Sequence, residues 1–318
     1  MSYHYIFLQL KSDRDYGSLV RSNIDQTAWT PPKKIKATEL ECKYANPTGI
    51  RYKEKIYLVI REDRIVNFFN KIIFIEIKEG TVIETDFTSH ETIVPFHISS
   101  ASYVFYQESR GTLNVASLGW ENNTPKLASL STLDKKLKSY DIIGYPSIAQ
   151  YVGQPGNSPR VFYVNTNGKL ASFQINCTRQ TIGNPKDYDL EIAGSPSAVV
   201  WQDNYIVLYR TNNNNLYCAL FNAIESGDAE EGDFIEKYNL SESSIIRAFS
   251  SPSIILDDEN NLLYIYFIGG DSKLRKSTID MSMKLPNISV STVIDSEYDF
   301  SYSSGAAPFA ISSDKRLD

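Results

Sequence analysis

Apolar and polar residues along this chain do not follow a helical period. They alternate in short runs, and the runs come in pairs separated by turns rich in Asn, Asp and Gly. Examples are YVFYQESRGTLNVASL (103–118), RVFYVNTNGKLASFQI (160–175), YIVLYRTNNNNLYCALF (205–221) and LLYIYFIGGDSKLRKSTI (262–279). YIFLQLKSDRDYGSLVRSNI (5–24) and IYLVIREDRIVNFF (56–69) are more divergent copies. Period-two alternation interrupted by such a turn predicts a β-hairpin.

Taking Ile6, Tyr57, Val104, Val161, Val207 and Tyr264 as anchors, the hairpins recur every 46 to 57 residues. A repeat of this length, carrying several strands, predicts one four-stranded blade of a β-propeller, and six copies predict six blades. A proline-containing entry element precedes most hairpins: NPTGI (46–50), YPSIA (145–149), SPSAV (195–199) and SPSII (251–255), with PFHIS (95–99) as a divergent copy. The sixth, APFAI (307–311), lies near the end of the sequence with no hairpin after it, whereas the first hairpin has no such element before it. The expectation is a single all-β domain over 1–318, a six-bladed propeller whose last blade is closed by pairing N- and C-terminal strands, which removes a sheet edge.

Composition narrows the partners. The 32 Lys+Arg against 38 Asp+Glu leave a net charge of −6, a poor match for nucleic acid. No apolar run approaches the ~18 residues of a membrane span. The 21 Tyr and 15 Phe favour strands. Cys42, Cys177 and Cys218 are too scattered for a disulfide framework or metal site, and His4, His90 and His97 are likewise dispersed. No cofactor is expected. The N-terminal segment has no basic n-region, so the reading is cytoplasmic unless a leader has been removed. Sequons at Asn122, Asn176, Asn239 and Asn287 occur about as often as chance allows in a chain rich in Asn, Ser and Thr.

RVFYVNTNGKL (160–170) and YVFYQESRGTL (103–113) resemble the blade motif of the fungal fucose-specific lectins, the Aleuria-type six-bladed propellers. In that family an Arg and a Glu hydrogen-bond the sugar and an aromatic residue stacks on it. Aligned by motif, the Arg position falls on Tyr5, Ile56, Tyr103, Arg160, Ile206 and Leu263. The Glu position falls on Arg21, Asn67, Val115, Ser172, Cys218 and Lys276. One Arg and no Glu remain, so the resemblance implies weak fucose binding, with Arg160 and neighbouring Tyr163 as the one sugar-site remnant. The alternative for Arg160 is an ordinary strand-end arginine.

No hydrolase, metalloprotease or phosphate-loop motif is present. Asp257–Asp258 reads as a solvated turn. Aromatic residues recur at the entry elements, among them Tyr145, Phe249 and Tyr302, and with Tyr151 and Arg51 they could form a ligand-binding pocket. His97, Trp201 and Arg247 are the candidate catalytic donors. The competing role for all these aromatics is packing between blades. Three functions stay open. The first is a lectin scaffold repurposed for a small, largely apolar organic ligand. Propellers similar to fucose lectins include cofactor-free hetero-Diels–Alder catalysts of fungal secondary metabolism, so the resemblance extends this reading to a cycloaddition. The second is a divergent carbohydrate-binding lectin. The third is a protein-interaction propeller. The partner is thus a small molecule, a glycan or a protein, and homodimerisation is left open.

Overall fold

The computed structural model describes residues 3–8, 18–23, 33–34, 47–61, 70–90, 92–98, 100–109, 112–151, 158–183, 185–225, 230–241, 247–282, 287–289, 291–294 and 308–313. They form six antiparallel sheets of four or five strands, which is the six-bladed propeller class that the repeats predict. The backbone divides into two compact units of three sheets each.

In the first unit, blade one runs Phe309–Ser313, Tyr3–Leu8, Ser18–Asn23, Lys33–Lys34. Its register pairs Tyr3 with Ser313 and Phe7 with Phe309, so the C-terminal strand closes the N-terminal sheet as expected. Blade two is Thr48–Tyr52, Lys55–Arg61, Asn70–Glu76, Val82–Ser89. Here the motif alignment needs correction: the third strand is NKIIFIE, beyond the 56–69 window that the alignment took as a complete hairpin. Blade three is Ile93–Ile98, Ala101–Ser109, Thr112–Glu121, Thr124–Ser129. A helix, Ser131–Leu137, follows it. The buried Asp134 of that helix accepts the Val115 N–H at 2.7 Å and the Ser129 hydroxyl at 2.8 Å, which fastens the helix to blade three.

The second unit holds blades four to six. Blade four is Ile142–Ala149, Arg160–Asn165, Lys169–Asn176 and a fourth strand in two pieces, Thr181–Ile182 and Lys186–Glu191. The break contains Pro185, which has no N–H for the ladder. Blade five is Ser197–Trp201, Asn204–Arg210, Leu216–Asn222, Phe234–Asn239. Blade six is Ser253–Asp257, Leu262–Ile268, Leu274–Asp280, with its outer strand again split into Asn287–Ile288 and Thr292–Val293.

The second strands read as nearly continuous apolar runs because both of their faces are buried. Ile56, Leu58 and Ile60 pack against Tyr5 and Phe7 of blade one. The intervening Tyr57 and Val59 pack against Val104 and Tyr106 of blade three. Blade five repeats the arrangement: Tyr205, Val207 and Tyr209 face blade four, while Ile206 and Leu208 face blade six. Each such side chain contributes roughly 1.5–3 kcal/mol of burial.

The Ser-Pro-Ser entries have a specific use. Ser195 Oγ accepts the Tyr145 N–H at 2.8 Å, and Ser251 Oγ accepts the Ser195 N–H at 2.7 Å. The serine of the blade-four entry, Ser147, accepts the Ala198 N–H at 2.8 Å. Successive entry strands are thus joined through hydroxyls, next to prolines that cannot donate.

Candidate functional site

Strand register decides which residues occupy equivalent places. Arg160 lies two residues before Phe162, which pairs with Ser172 on the third strand and Ser147 on the first. The residue after the entry proline pairs with this central position in five blades: Thr48 with Val59, Ser147 with Phe162, Ser197 with Leu208, Ser253 with Tyr266 and Phe309 with Phe7. In blade three the proline element is displaced, so that Phe96 pairs with Tyr103; there the hairpin itself gives the frame. The equivalents of Arg160 are then Tyr5, Tyr57, Tyr103, Ile206 and Tyr264. The motif alignment had Ile56 and Leu263, one residue off, and a one-residue slip turns a side chain to the opposite face. The partners of the central residues are Leu19, Phe74, Val115, Ser172, Cys218 and Lys276. Leu19 and Phe74 replace Arg21 and Asn67. No Glu stands at this position in any blade, and four of the six arginine positions are tyrosine.

Three of these positions show what has replaced the polar pair. Tyr57 is buried against Trp120, with centroids 4.7 Å apart, and Trp120 stacks on Tyr52 at 4.1 Å and 7°. Burial, followed by the charges of Glu76 and Glu79, pushes the Tyr57 phenol up. In blade six the Lys276 ammonium lies 4.5 Å from the Tyr264 ring centre. Desolvation pushes that amine down. In blade five the Cys218 thiol is buried and pushed up to about 12 by desolvation, so it stays protonated and unreactive at neutral pH.

Blade four keeps its arginine, but Arg160 is buried and engaged. Nη1 donates to Ser172 Oγ at 2.8 Å, Nη2 to the main-chain carbonyl of Glu231 at 3.0 Å, and Nε to Glu231 Oε1 at 3.4 Å. The Glu231 carboxylate also accepts from Tyr205 at 2.7 Å and from Gln174 at 2.5 Å. Ser172 donates onward to Tyr188, whose hydroxyl donates to the Gly232 carbonyl, each at 2.7 Å. Gly232 has φ +82°, and a Cβ there would come within 2.4 Å of the Arg160 guanidinium carbon, so this place admits glycine alone. Outside the cluster, Lys186 pairs with Glu230 and Asp233 at 3.1 and 2.8 Å. Tyr163, expected beside Arg160, lies on the opposite face of the strand, against Phe173. Glu231 was invisible in the sequence: it sits 71 residues from Arg160, in a connection with no motif.

The other candidates fall into two groups by position within their own blades. Arg51, His97, Tyr151 and Trp201 lie at the join of first and second strands. Arg247 and Phe249 lie at the opposite end of blade six, where Arg247 bridges to Asn215 and the Phe249 ring covers Gly270. Tyr145 is inside its strand. Tyr302 lies outside the described residues.

His97 Nε2 is 3.1 Å from the Arg51 carbonyl and Nδ1 is 3.0 Å from Ser102 Oγ. A carbonyl can only accept, so Nε2 carries the proton, and Nδ1 of the neutral ring accepts from Ser102. Partial desolvation of the ring lowers the His97 pKa, against the opposing effect of the Arg51 carbonyl, although the residue is exposed. Tyr151 donates to Asp203 at 2.9 Å, and this bond raises its phenol. Trp201 packs on the apolar layer between blades five and six. Among the described residues no group of three His, Cys, Asp or Glu could hold a metal ion.

No family model and no curated protein matches this chain. Solved structures do. The chain is similar to AofleA from Arthrobotrys oligospora, with 11% identity, 98% of this chain and 85% of that one covered, and a TM-score of 0.56. It is similar to Aleuria aurantia lectin in complex with α-methyl-L-fucoside, with 13% identity, 93% of each chain covered and a TM-score of 0.59. It is also similar to the periplasmic gluconolactonase PpgL of Pseudomonas aeruginosa, with 8% identity, 93% and 84% covered, and a TM-score of 0.53. The fold is therefore that of the Aleuria-type lectins. Since the chain is similar in fold to a gluconolactonase as well, the fold alone does not decide between binding and catalysis.

Proposed function

We propose that this chain is a lectin-like binding propeller that recognises a glycan through contacts other than an arginine–glutamate pair. The observation that carries the reading is the saturation of Arg160 within a fold shared with lectins over most of the chain. A fucoside at that arginine would have to displace Glu231 from four hydrogen bonds. At the other five equivalent positions it would meet tyrosine or isoleucine in place of a guanidinium. Aromatic and hydroxyl contacts remain for a sugar, and they carry less polar specificity than a charge-assisted pair.

A glycan array on the purified chain tests this. Fucosylated glycans should not stand out, and the glycans that bind should do so equally well with Arg160→Met, checked for folding by its melting curve. A strong fucose signal lost in a folded Arg160→Met variant would overturn the reading. An array with no binding at all would remove the glycan and leave the second reading.

That second reading is a small, largely apolar ligand, and the exposed Arg247, two residues before Phe249, whose half-buried ring lies beside Gly270, favours it. A cation and an aromatic ring so close in the chain suit a flat, anionic or carbonyl-bearing molecule. The cycloaddition form of this reading needs a donor to polarise a carbonyl. The His97 N–H and the Tyr151 hydroxyl are already engaged and Trp201 packs between blades five and six, so the charged Arg247 is the candidate we assign to that role. Phe249→Ala should abolish any ligand-induced rise in melting temperature. A rise unchanged in that variant would reject the site.

A further inference from the structure

The recess that holds Glu231 matches a carboxylate on each side. One oxygen faces the Tyr205 hydroxyl and the Arg160 Nε, and the other faces the Gln174 amide. None of these donors lies in the segment that carries Glu231. Arg160 and Gln174 belong to adjacent strands of blade four, where they pair directly, and Tyr205 belongs to the second strand of blade five. Two of the three, Arg160 and Tyr205, are held by contacts that do not involve the carboxylate. Arg160 is fixed through Ser172 and Tyr188, and Tyr205 by its ring against Phe162. Burial and the Glu231 charge both push the Tyr205 phenol up, so it stays a donor. The Arg160 and Glu231 side chains are 4% and 8% exposed, so water does little to replace either one.

We propose that Arg160, Gln174 and Tyr205 form a carboxylate-binding site that the chain fills with its own Glu231. With the Glu231 side chain removed, the site takes a small free monocarboxylate such as formate or acetate. The glutamate acts as a tethered ligand: its attachment keeps the site occupied and excludes competitors from solution. The guanidinium charge with its Nε–H and two further donors, directed at two oxygens, selects a carboxylate over a neutral amide. This holds whichever ligand the propeller recognises elsewhere.

The test is Glu231→Ala, melted in chloride, acetate and acetamide at one pH and ionic strength. The variant should melt roughly 5 °C below the parent in chloride. Acetate at about ten times its Kd should restore roughly 2 °C. Acetamide should restore nothing, the parent should not respond, and the double variant Arg160→Met/Glu231→Ala should not respond either. If Glu231→Ala does not fold in chloride, its refolding yield in acetate against chloride reads the same property, and a higher yield in acetate is expected. Equal behaviour in acetate and chloride, a response to acetamide, a response that persists without Arg160, or failure to refold in every salt would each overturn the proposal.

Discussion

The Ser195 hydroxyl accepts the main-chain N–H of Tyr145 at 2.8 Å, and the Ser195 N–H in turn donates to Ser251. Three consecutive entry strands are thereby connected in series. Ser195 and Ser251 are 4% and 0% exposed, so the Ser195 N–H that loses its acceptor in Ser251→Ala meets no water, whereas the Tyr145 N–H left by Ser195→Ala is partly exposed. Ser251→Ala should cost about 1–3 kcal/mol in chemical denaturation and Ser195→Ala less, without changing the far-UV spectrum. Losses below a few tenths of a kcal/mol would mean that another acceptor takes over.

Pairing of Phe309–Ser313 with Tyr3–Phe7 predicts the effect of truncation. Removing residues 309–318 exposes the edge of an apolar strand, Tyr3–Leu8, and takes the Phe309 ring away from Phe7, 6.1 Å between centroids. The truncated chain should aggregate at concentrations where the parent does not, as read by light scattering. A monodisperse truncated chain with parental melting would contradict the pairing.

Trp120 joins blades two and three by touching Tyr52, Tyr57 and Phe74. Trp120→Ala should cost about 3–5 kcal/mol, since the void is bounded by rings fixed on strands. Trp120→Phe, which keeps part of the stack, should cost less. Equal losses would show that a smaller ring keeps none of the stack.

His97 predicts a pH dependence with a definite sign. Its pKa is lowered on folding, so the unfolded chain binds the proton more readily. The stabilisation is therefore complete above the ordinary histidine pKa of ~6.5 and declines as the pH falls toward the lowered folded value. A stability–pH profile of the parent should slope downward over that interval, and His97→Gln should flatten it. A profile identical in the two proteins would show that His97 is not the titrating group.

What the sequence determined follows from local chemistry. Period-two apolar runs with Asn- and Gly-rich turns are enough to specify antiparallel hairpins, so six repeats and the split first blade could be read directly. Both belong to short stretches of chain whose alternation states which positions are buried. Register was less accessible: the third strand of blade two begins at Asn70, beyond the expected window, and a one-residue error put Ile56 and Leu263 where Tyr57 and Tyr264 stand. The motif showed that Arg160 had lost its glutamate partner, since Ser172 occupies that place. That a different glutamate, Glu231, had taken up the guanidinium was decided by tertiary structure alone. The two residues are 71 positions apart, and nothing in either neighbourhood encodes the other. They meet because two blades stack through their apolar faces, Phe162 and Tyr188 against Tyr205 and Phe221, and this burial sets how closely the polar edge of one sheet approaches the next.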